Sequence, residues 1–158
     1  GYHDLNRTRQ KISLEAEKMG YTLVNFISEN ILLCPNTQYG KNTVILDQTS
    51  IHSDCKIGNN VFITSNVQIG HDCVIGDNVW INAGVCIGGG TTIEDNCFIG
   101  MNATLTHGIN IGKHSIIGAA TLVNKSIPSD SVIISDPGIV QPLSSEIFLR
   151  FSKGIGHG

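Results

Sequence analysis

Every sixth residue between Ile45 and Ile117 is a large aliphatic. The series runs Ile45, Ile51, Ile57, Ile63, Ile69, Ile75, Ile81, Ile87, Ile93, Ile99, Leu105, Ile111 and Ile117 without a slip in register. Leu33 and Tyr39 extend it backward and Val123 extends it forward. A glycine often follows the aliphatic, as at Gly58, Gly70, Gly88, Gly100 and Gly118, and a small or β-branched residue such as Cys55, Val61, Val79, Thr91 or Ala103 stands two before it. Neither the 3.6-residue period of a helix nor the two-residue period of a lone strand produces a governing repeat of six. A short strand that buries one side chain and then turns a corner does, and stacking such coils builds a continuous core. The feature predicts an all-β solenoid, a parallel β-helix of hexapeptide repeats, with three hexads in a coil of eighteen residues.

The remainder of the chain divides around that stretch. Residues 1–30 read as an N-terminal helix, from about Asn6 to Met19, and an apolar entry strand over Tyr21 to Ile27. Ile12, Ala16 and Met19 share one face of the helix, and Gly20 is placed to cap it. Residues 31–126 read as the β-helix, and 127–158 as an exit segment with a capping helix at SSEIFLRF, whose Ile147 and Phe151 are expected to pack back on the body. The tail GIGHG reads as flexible.

Composition narrows the function classes. Charged residues make up 15% of the 158 and the net charge is −3, so no electrostatic footprint for nucleic acid or an anionic membrane is present. No apolar run approaches a membrane span, and no stretch reads as a secretory signal. Of the five cysteines, Cys55, Cys73 and Cys97 fall at the small inward position, Cys86 points outward, and Cys34 precedes the main repeat. An odd count with inward positions predicts reduced core thiols and a cytoplasmic protein.

Stepping by eighteen residues gives the columns of the stack. Asn42, Asn60, Asn78 and Asn96 form one, at a corner where asparagine tolerates a left-handed backbone and can hydrogen-bond along the axis. Phe62, Trp80, Phe98 and Ile116 form another and point outward, an apolar row expected to be covered by another subunit or a terminal segment.

The hexads followed by IIGAATLVNKSIPSDSVIISDPG at 116–138 resemble the hexapeptide-repeat acyltransferases. The resemblance implies a left-handed β-helix, an exception to the right-handed crossover rule, assembled as a homotrimer with active sites between subunits and acetyl-CoA as donor. IGHD at 69–72 and GGGTTIEDNCFIGMNATL at 88–105 are similar to the sugar acetyltransferases that modify sialic acid or bacillosamine. Members of that group carry an N-terminal βαβ domain for the nucleotide sugar. GYHDLNRTR resembles the end of such a domain, and the chain starts with Gly rather than Met, so a piece of a longer protein is expected. Two departures stand out: the family's GAGA reads Gly118-Ala119-Ala120-Thr121, and its G-x-P-A-K ending reads Ser135-Asp136-Pro137-Gly138-Ile139, without the lysine.

Acetyl transfer needs a base for the attacking amine or hydroxyl and donors for the developing oxyanion. Histidine is the natural base near neutral pH. His3 and His157 lie near the ends, and His52 and His114 occupy surface positions without a motif. His71 sits at a corner beside Asp72 and matches the family's catalytic histidine–acid pair, with Asp72 fixing its tautomer. His107 lies two coils along the same column with Gly89 between, so the backbones are about 9.6 Å apart. His107 reads either as lining the acceptor pocket, as touching cofactor, or as a surface histidine. Gly89 opens the wall between the two rings and offers a backbone N–H. By motif position the pantetheine arm passes Met101, Gly118 and Ala119. Lys125 reads as a contact to a CoA phosphate or as a solvated lysine, and Trp80 as a cofactor contact or a trimer seal. Cys86 has no neighbour that activates it as a nucleophile.

The expectation is thus an acetyl-CoA-dependent acetyltransferase acting on an amino or hydroxyl group of a nucleotide-linked sugar in surface-polysaccharide synthesis, with no metal. Two other classes are weighed. A γ-class carbonic anhydrase shares the β-helix but uses paired histidines a few residues apart, which this chain lacks. A non-catalytic or ice-binding scaffold would present flat rows of outward threonine, where this chain has aromatic or mixed columns.

Overall fold

The computed structural model describes residues 4–154, with side chains described as far as Arg150. His3, His157 and the side chain of Phe151 lie outside the described residues. Two-residue strands stack into three parallel sheets that form the faces of a triangular prism, a left-handed β-helix.

The first face carries seven strands: Phe26–Ile27, Val44–Ile45, Phe62–Ile63, Trp80–Ile81, Phe98–Ile99, Ile116–Ile117 and Val132–Ile133. The second carries six, from Leu32–Leu33 through Ser50–Ile51, Gln68–Ile69, Cys86–Ile87 and Thr104–Leu105 to Leu122–Val123. The third carries five, from Gln38–Tyr39 through Lys56–Ile57, Val74–Ile75 and Thr92–Ile93 to Asn110–Ile111. Cα partners differ by eighteen residues throughout the body, as Phe62 with Trp80 and Cys86 with Thr104. The aliphatic of every hexad from Ile45 to Ile117 is 4% exposed or less. One residue of each strand thus enters the core and its neighbour faces out, which is the period-two rule truncated to a single step.

The ladder begins and ends beyond the expected bounds. Phe26–Ile27 already pairs with Val44–Ile45, while residues 21–25 form no strand. At the other end Ile127 bridges to Ile111, and Ile116–Ile117 pairs with Val132–Ile133. These partners are sixteen apart rather than eighteen, so the last coil is two residues short. Counting by sixes past Val123 therefore loses the core positions Ile127 and Ile133, although both are filled.

The helix α1 (Arg7–Lys18) does not attach through the face that Ile12 and Met19 share. It has no buried residue, and the apolar Ile12 and Met19 are exposed. Its polar side makes the contact. The left-handed corners at Asn42, Asn60, Asn78 and Asn96 have φ of 55–59° and align their amides: Asn42 Nδ2 donates to Asn60 Oδ1 at 2.7 Å and Asn60 Nδ2 to Asn78 Oδ1 at 2.7 Å. Arg9 Nε donates to Asn60 Oδ1 (2.8 Å) and its Nη2 to the Asn42 carbonyl (2.7 Å). Asn6 Nδ2 donates to the Asn78 carbonyl and Asn96 Nδ2 to that of Leu5. A column of side-chain amides has donors and acceptors to spare, so a polar helix satisfies it where an apolar one would strand it.

Arg9 also lies 5.2 Å above the Phe62 ring, which stacks on Trp80 at 4.3 Å. The aromatic column is half-buried, covered in part by this N-terminal element. At the other terminus, α2 (Ser145–Gly154) leaves Ile147 44% exposed and Phe148 61%, so it does not pack back on the body through those residues. Among the described residues no helix is long and apolar enough to cross a membrane.

Candidate active site

His71 projects from the corner that joins the second face to the third. Its strand, Gln68–Ile69, delivers the chain into Gly70, and Asp72 takes the left-handed turn at φ 57°. That turn brings the Asp72 carboxylate back onto the ring, with His71 Nδ1 2.7 Å from Asp72 Oδ2. With Nδ1–H donating to the carboxylate, Nε2 is left as the acceptor. Both side chains are about two-thirds exposed.

The column through His71 contains Ser53 below and Gly89, His107 and Lys125 above, one coil apart at each step. The stack is tied by backbone bonds: Gly90 N–H donates to the His71 carbonyl (2.7 Å) and Gly108 N–H to that of Gly89 (3.0 Å). The imidazole leans up the column onto Gly89, where a Cβ would stand 2.7 Å from Nε2 and 2.9 Å from both Cδ2 and Cε1. Among the described residues the Gly89 N–H meets no acceptor. The contrast with the asparagine corner is instructive. There Lys41, Asn59 and Asp77 each donate their N–H to a side-chain oxygen on the next coil, at 2.7–3.1 Å. Glycine and histidine supply no such oxygen here, so the Gly89 N–H, which by this pattern is aimed at the His107 coil, stays open one coil above His71.

The expected cofactor residues separate into two groups. Gly89 and Lys125 stand in the His71 column, and Lys125 is one coil beyond His107, an alignment that stepping by eighteen predicts and that motif matching alone overlooks. Met101, Gly118 and Ala119 lie at the preceding corner, between the first and second faces. Ala120 N–H donates to the Met101 carbonyl at 2.8 Å, which stacks the two coils directly. One hexad separates Met101 from His107, about 20 Å of extended chain at most. The second face, with Gln68, Cys86, Thr104 and Leu122 outward, spans the gap between the groups. Met101, Ala119, His107 and Lys125 are all exposed, and Gly118 is half-buried.

The other histidines and the tryptophan stand apart. His52 is exposed one hexad position before the column, and His114 contacts Asp130 (Nδ1 to Oδ1, 3.3 Å) at the asparagine corner. Trp80 sits on the first face against Phe62, away from the His71 corner. Among the described residues no group of three His, Cys, Asp or Glu side chains is gathered for a metal ion. A recess of about 150 Å³ lies at the opposite corner, between α1 and the asparagines, lined by Ser13, Glu17, Lys41 and Asp77 among others. It holds none of the residues of the His71 column.

The bacterial transferase hexapeptide model (six repeats) matches residues 36–71 and 72–107, and the hexapeptide repeat of succinyl-transferase matches residues 90–125. Together they span more than half of the chain. It belongs to the hexapeptide-repeat transferases.

Solved hexapeptide-repeat proteins are similar over most of its length. One is a histidine-to-asparagine variant of perosamine N-acetyltransferase from Caulobacter crescentus, in complex with CoA and GDP-perosamine, at 26% identity and a TM-score of 0.82 over 87% of this chain and 66% of that one. WeeI from Acinetobacter baumannii is 28% identical with a TM-score of 0.81, covering 85% of this chain and 66% of that one. The acetyltransferase domain of PglB from Neisseria gonorrhoeae, in complex with acetyl coenzyme A, shares the fold at 23% identity and a TM-score of 0.80, with 85% and 65% covered. This chain thus spans about two thirds of the length of these relatives. No curated protein sequence matches it significantly.

Proposed function

We propose that this β-helix catalyses acetyl transfer from acetyl-CoA to the amino group of a nucleotide-linked sugar. The observation that carries the reading is the His71–Asp72 pair, set 2.7 Å apart beneath an open backbone donor at Gly89. The likeness to perosamine N-acetyltransferase, crystallised with CoA and GDP-perosamine, supports the class of donor and acceptor.

In this mechanism His71 Nε2 removes a proton from the acceptor nitrogen as its lone pair forms the bond to the thioester carbon. Asp72 accepts the Nδ1–H, holding the ring and stabilising its protonated form. The Gly89 N–H donates to the oxygen that becomes negative in the tetrahedral intermediate. Collapse of that intermediate restores the carbonyl, breaks the C–S bond and releases the CoA thiolate, which takes the proton from His71. Cys86 takes no covalent part. His107 and Lys125 continue the same column and are proposed to contact acceptor and CoA phosphate respectively; Met101, Gly118 and Ala119 line the path of the pantetheine arm at the neighbouring corner.

The column stands on a convex edge, whereas small-molecule sites are concave and mostly enclosed. A second subunit facing this edge supplies the missing wall, which is the reason to propose the homotrimer. Free cysteines and both co-substrates fit a cytoplasmic setting in surface-polysaccharide synthesis.

Calorimetric titration with acetyl-CoA is expected to show one micromolar site per chain, and thiol release is then followed with a panel of GDP- and UDP-linked amino sugars. The product should survive mild base, as an amide does and an ester does not. His71→Ala is expected to lower kcat by about 10²–10⁴-fold with the fold intact. Unchanged turnover in that variant would remove His71 from the mechanism, and absent acetyl-CoA binding would sink the transferase reading as a whole.

A further inference from the structure

Four glycines cluster around the His71 corner, and three of them answer to the backbone. A Cβ on Gly70 would stand 2.5 Å from the Gly89 nitrogen, and one on Gly88 would stand 2.5 Å from the His107 nitrogen. Both positions are closed by the main chain of the next coil. Gly90 has φ +70°, the left-handed region that disfavours a side chain. Gly89 differs on both counts. Its φ lies outside that region, and the three heavy atoms nearest to its missing Cβ all belong to one imidazole, at 2.7, 2.9 and 2.9 Å. That imidazole is the far end of an exposed, rotatable side chain. Nothing in the fold requires glycine at 89; only the placement of the His71 ring does.

We propose that the absent side chain of Gly89 is a positioning device that seats the His71 imidazole along the column, with Nε2 beside the Gly89 backbone and Nδ1 on Asp72. A methyl group there turns the ring out toward solvent at little cost to the fold, and takes the base away from the acceptor. This role is separate from the donation of the Gly89 N–H, which alanine retains. Its catalytic consequence rests on His71 being the general base.

The test is a Gly89→Ala variant in two backgrounds, with a structural readout beside the kinetic one. In the unsubstituted protein, nuclear Overhauser cross-peaks are expected between the His71 ring protons and the Gly89 α-protons, a measurement that needs no acceptor. In the variant the imidazole resonances should shift and the contact should be lost, with the melting temperature within a few degrees. With acetyl-CoA and the best acceptor of the amino-sugar panel, kcat should fall by about 100-fold, the order expected of a misplacement near 1 Å, while KM for acetyl-CoA changes little. In a His71→Ala background the same substitution should add less than about threefold, because no ring remains to be displaced. Equal losses in both backgrounds would mean that the methyl obstructs substrate, and would overturn the proposal. Absent cross-peaks would overturn it as well. Unchanged turnover in His71→Ala would overturn the catalytic role of the device, while cross-peaks would still report the contact, so the two failures are told apart.

Discussion

Gly70 on one coil and Gly88 and Gly89 on the next occupy one corner of the prism, yet substitution at Gly89 should have a different consequence from substitution at the other two. At Gly70 and Gly88 an added methyl meets the next coil's main chain at 2.5 Å, which no rotamer relieves. Overpacking of this kind costs about 1–3 kcal/mol, so Gly88→Ala should lower the melting temperature by roughly 2–4 °C for each kcal/mol, where Gly89→Ala leaves it nearly unchanged. Differential scanning calorimetry on the two variants checks the contrast; equal shifts would contradict it.

The inward cysteines are read at the same scale. Burial pushes the Cys73 thiol up from 9.0 to about 11, and that of Cys97 to about 12. Once unfolded, these groups ionise near their ordinary value. Above about pH 9 the unfolded chain therefore binds fewer protons than the folded one, and stability falls as pH rises toward the folded values. The urea midpoint should be lower at pH 10 than at pH 8, with a smaller drop in Cys97→Ala. Iodoacetamide should label exposed Cys86 in the native protein and reach Cys55, Cys73 and Cys97 only after denaturation.

Among the elements, α1 is the one whose attachment the hydrophobic pattern misrepresents. The side of Ile12 and Met19 looks like the packing face, but the corner it meets is a column of asparagine amides. Arg9 carries two of the contacts, to Asn60 Oδ1 and the Asn42 carbonyl. Arg9→Ala leaves the Asn42 carbonyl without its donor, at about 1–3 kcal/mol, while Asn60 Oδ1 keeps the bond from Asn42 Nδ2. The loss should appear locally: faster amide hydrogen exchange across Arg7–Lys18 with the protection of the central coils unchanged. Uniformly faster exchange throughout would show instead that the helix and the coils unfold together.

For the molecule as a whole, each coil among the described residues contacts only its neighbours, so the body is a one-dimensional stack. Side chains of the first face remain half-buried at Phe62, Trp80 and Phe98, and the His71 corner is convex. If a neighbouring subunit completes the site, as proposed, sedimentation should give a particle of about three times the 16.9 kDa chain mass. A monomer that retains turnover would overturn that arrangement.

What a period of six determines is strong because it repeats: the aliphatic of each hexad from Ile45 to Ile117 had to enter the core, and the columns followed from adding eighteen. His71, Gly89 and His107 could be aligned in this way before any coordinates. The pattern failed where the register changed or where contact was not periodic. The two-residue shortening between Val123 and Ile127 hid the final coil from counting. The docking of α1 depended on amide donors brought into line by four left-handed corners, a property of the stack and not of the helix sequence. Only the tertiary structure decided which way the His71 ring leans, because that choice rests on the space left by the missing side chain of Gly89, a residue one coil away.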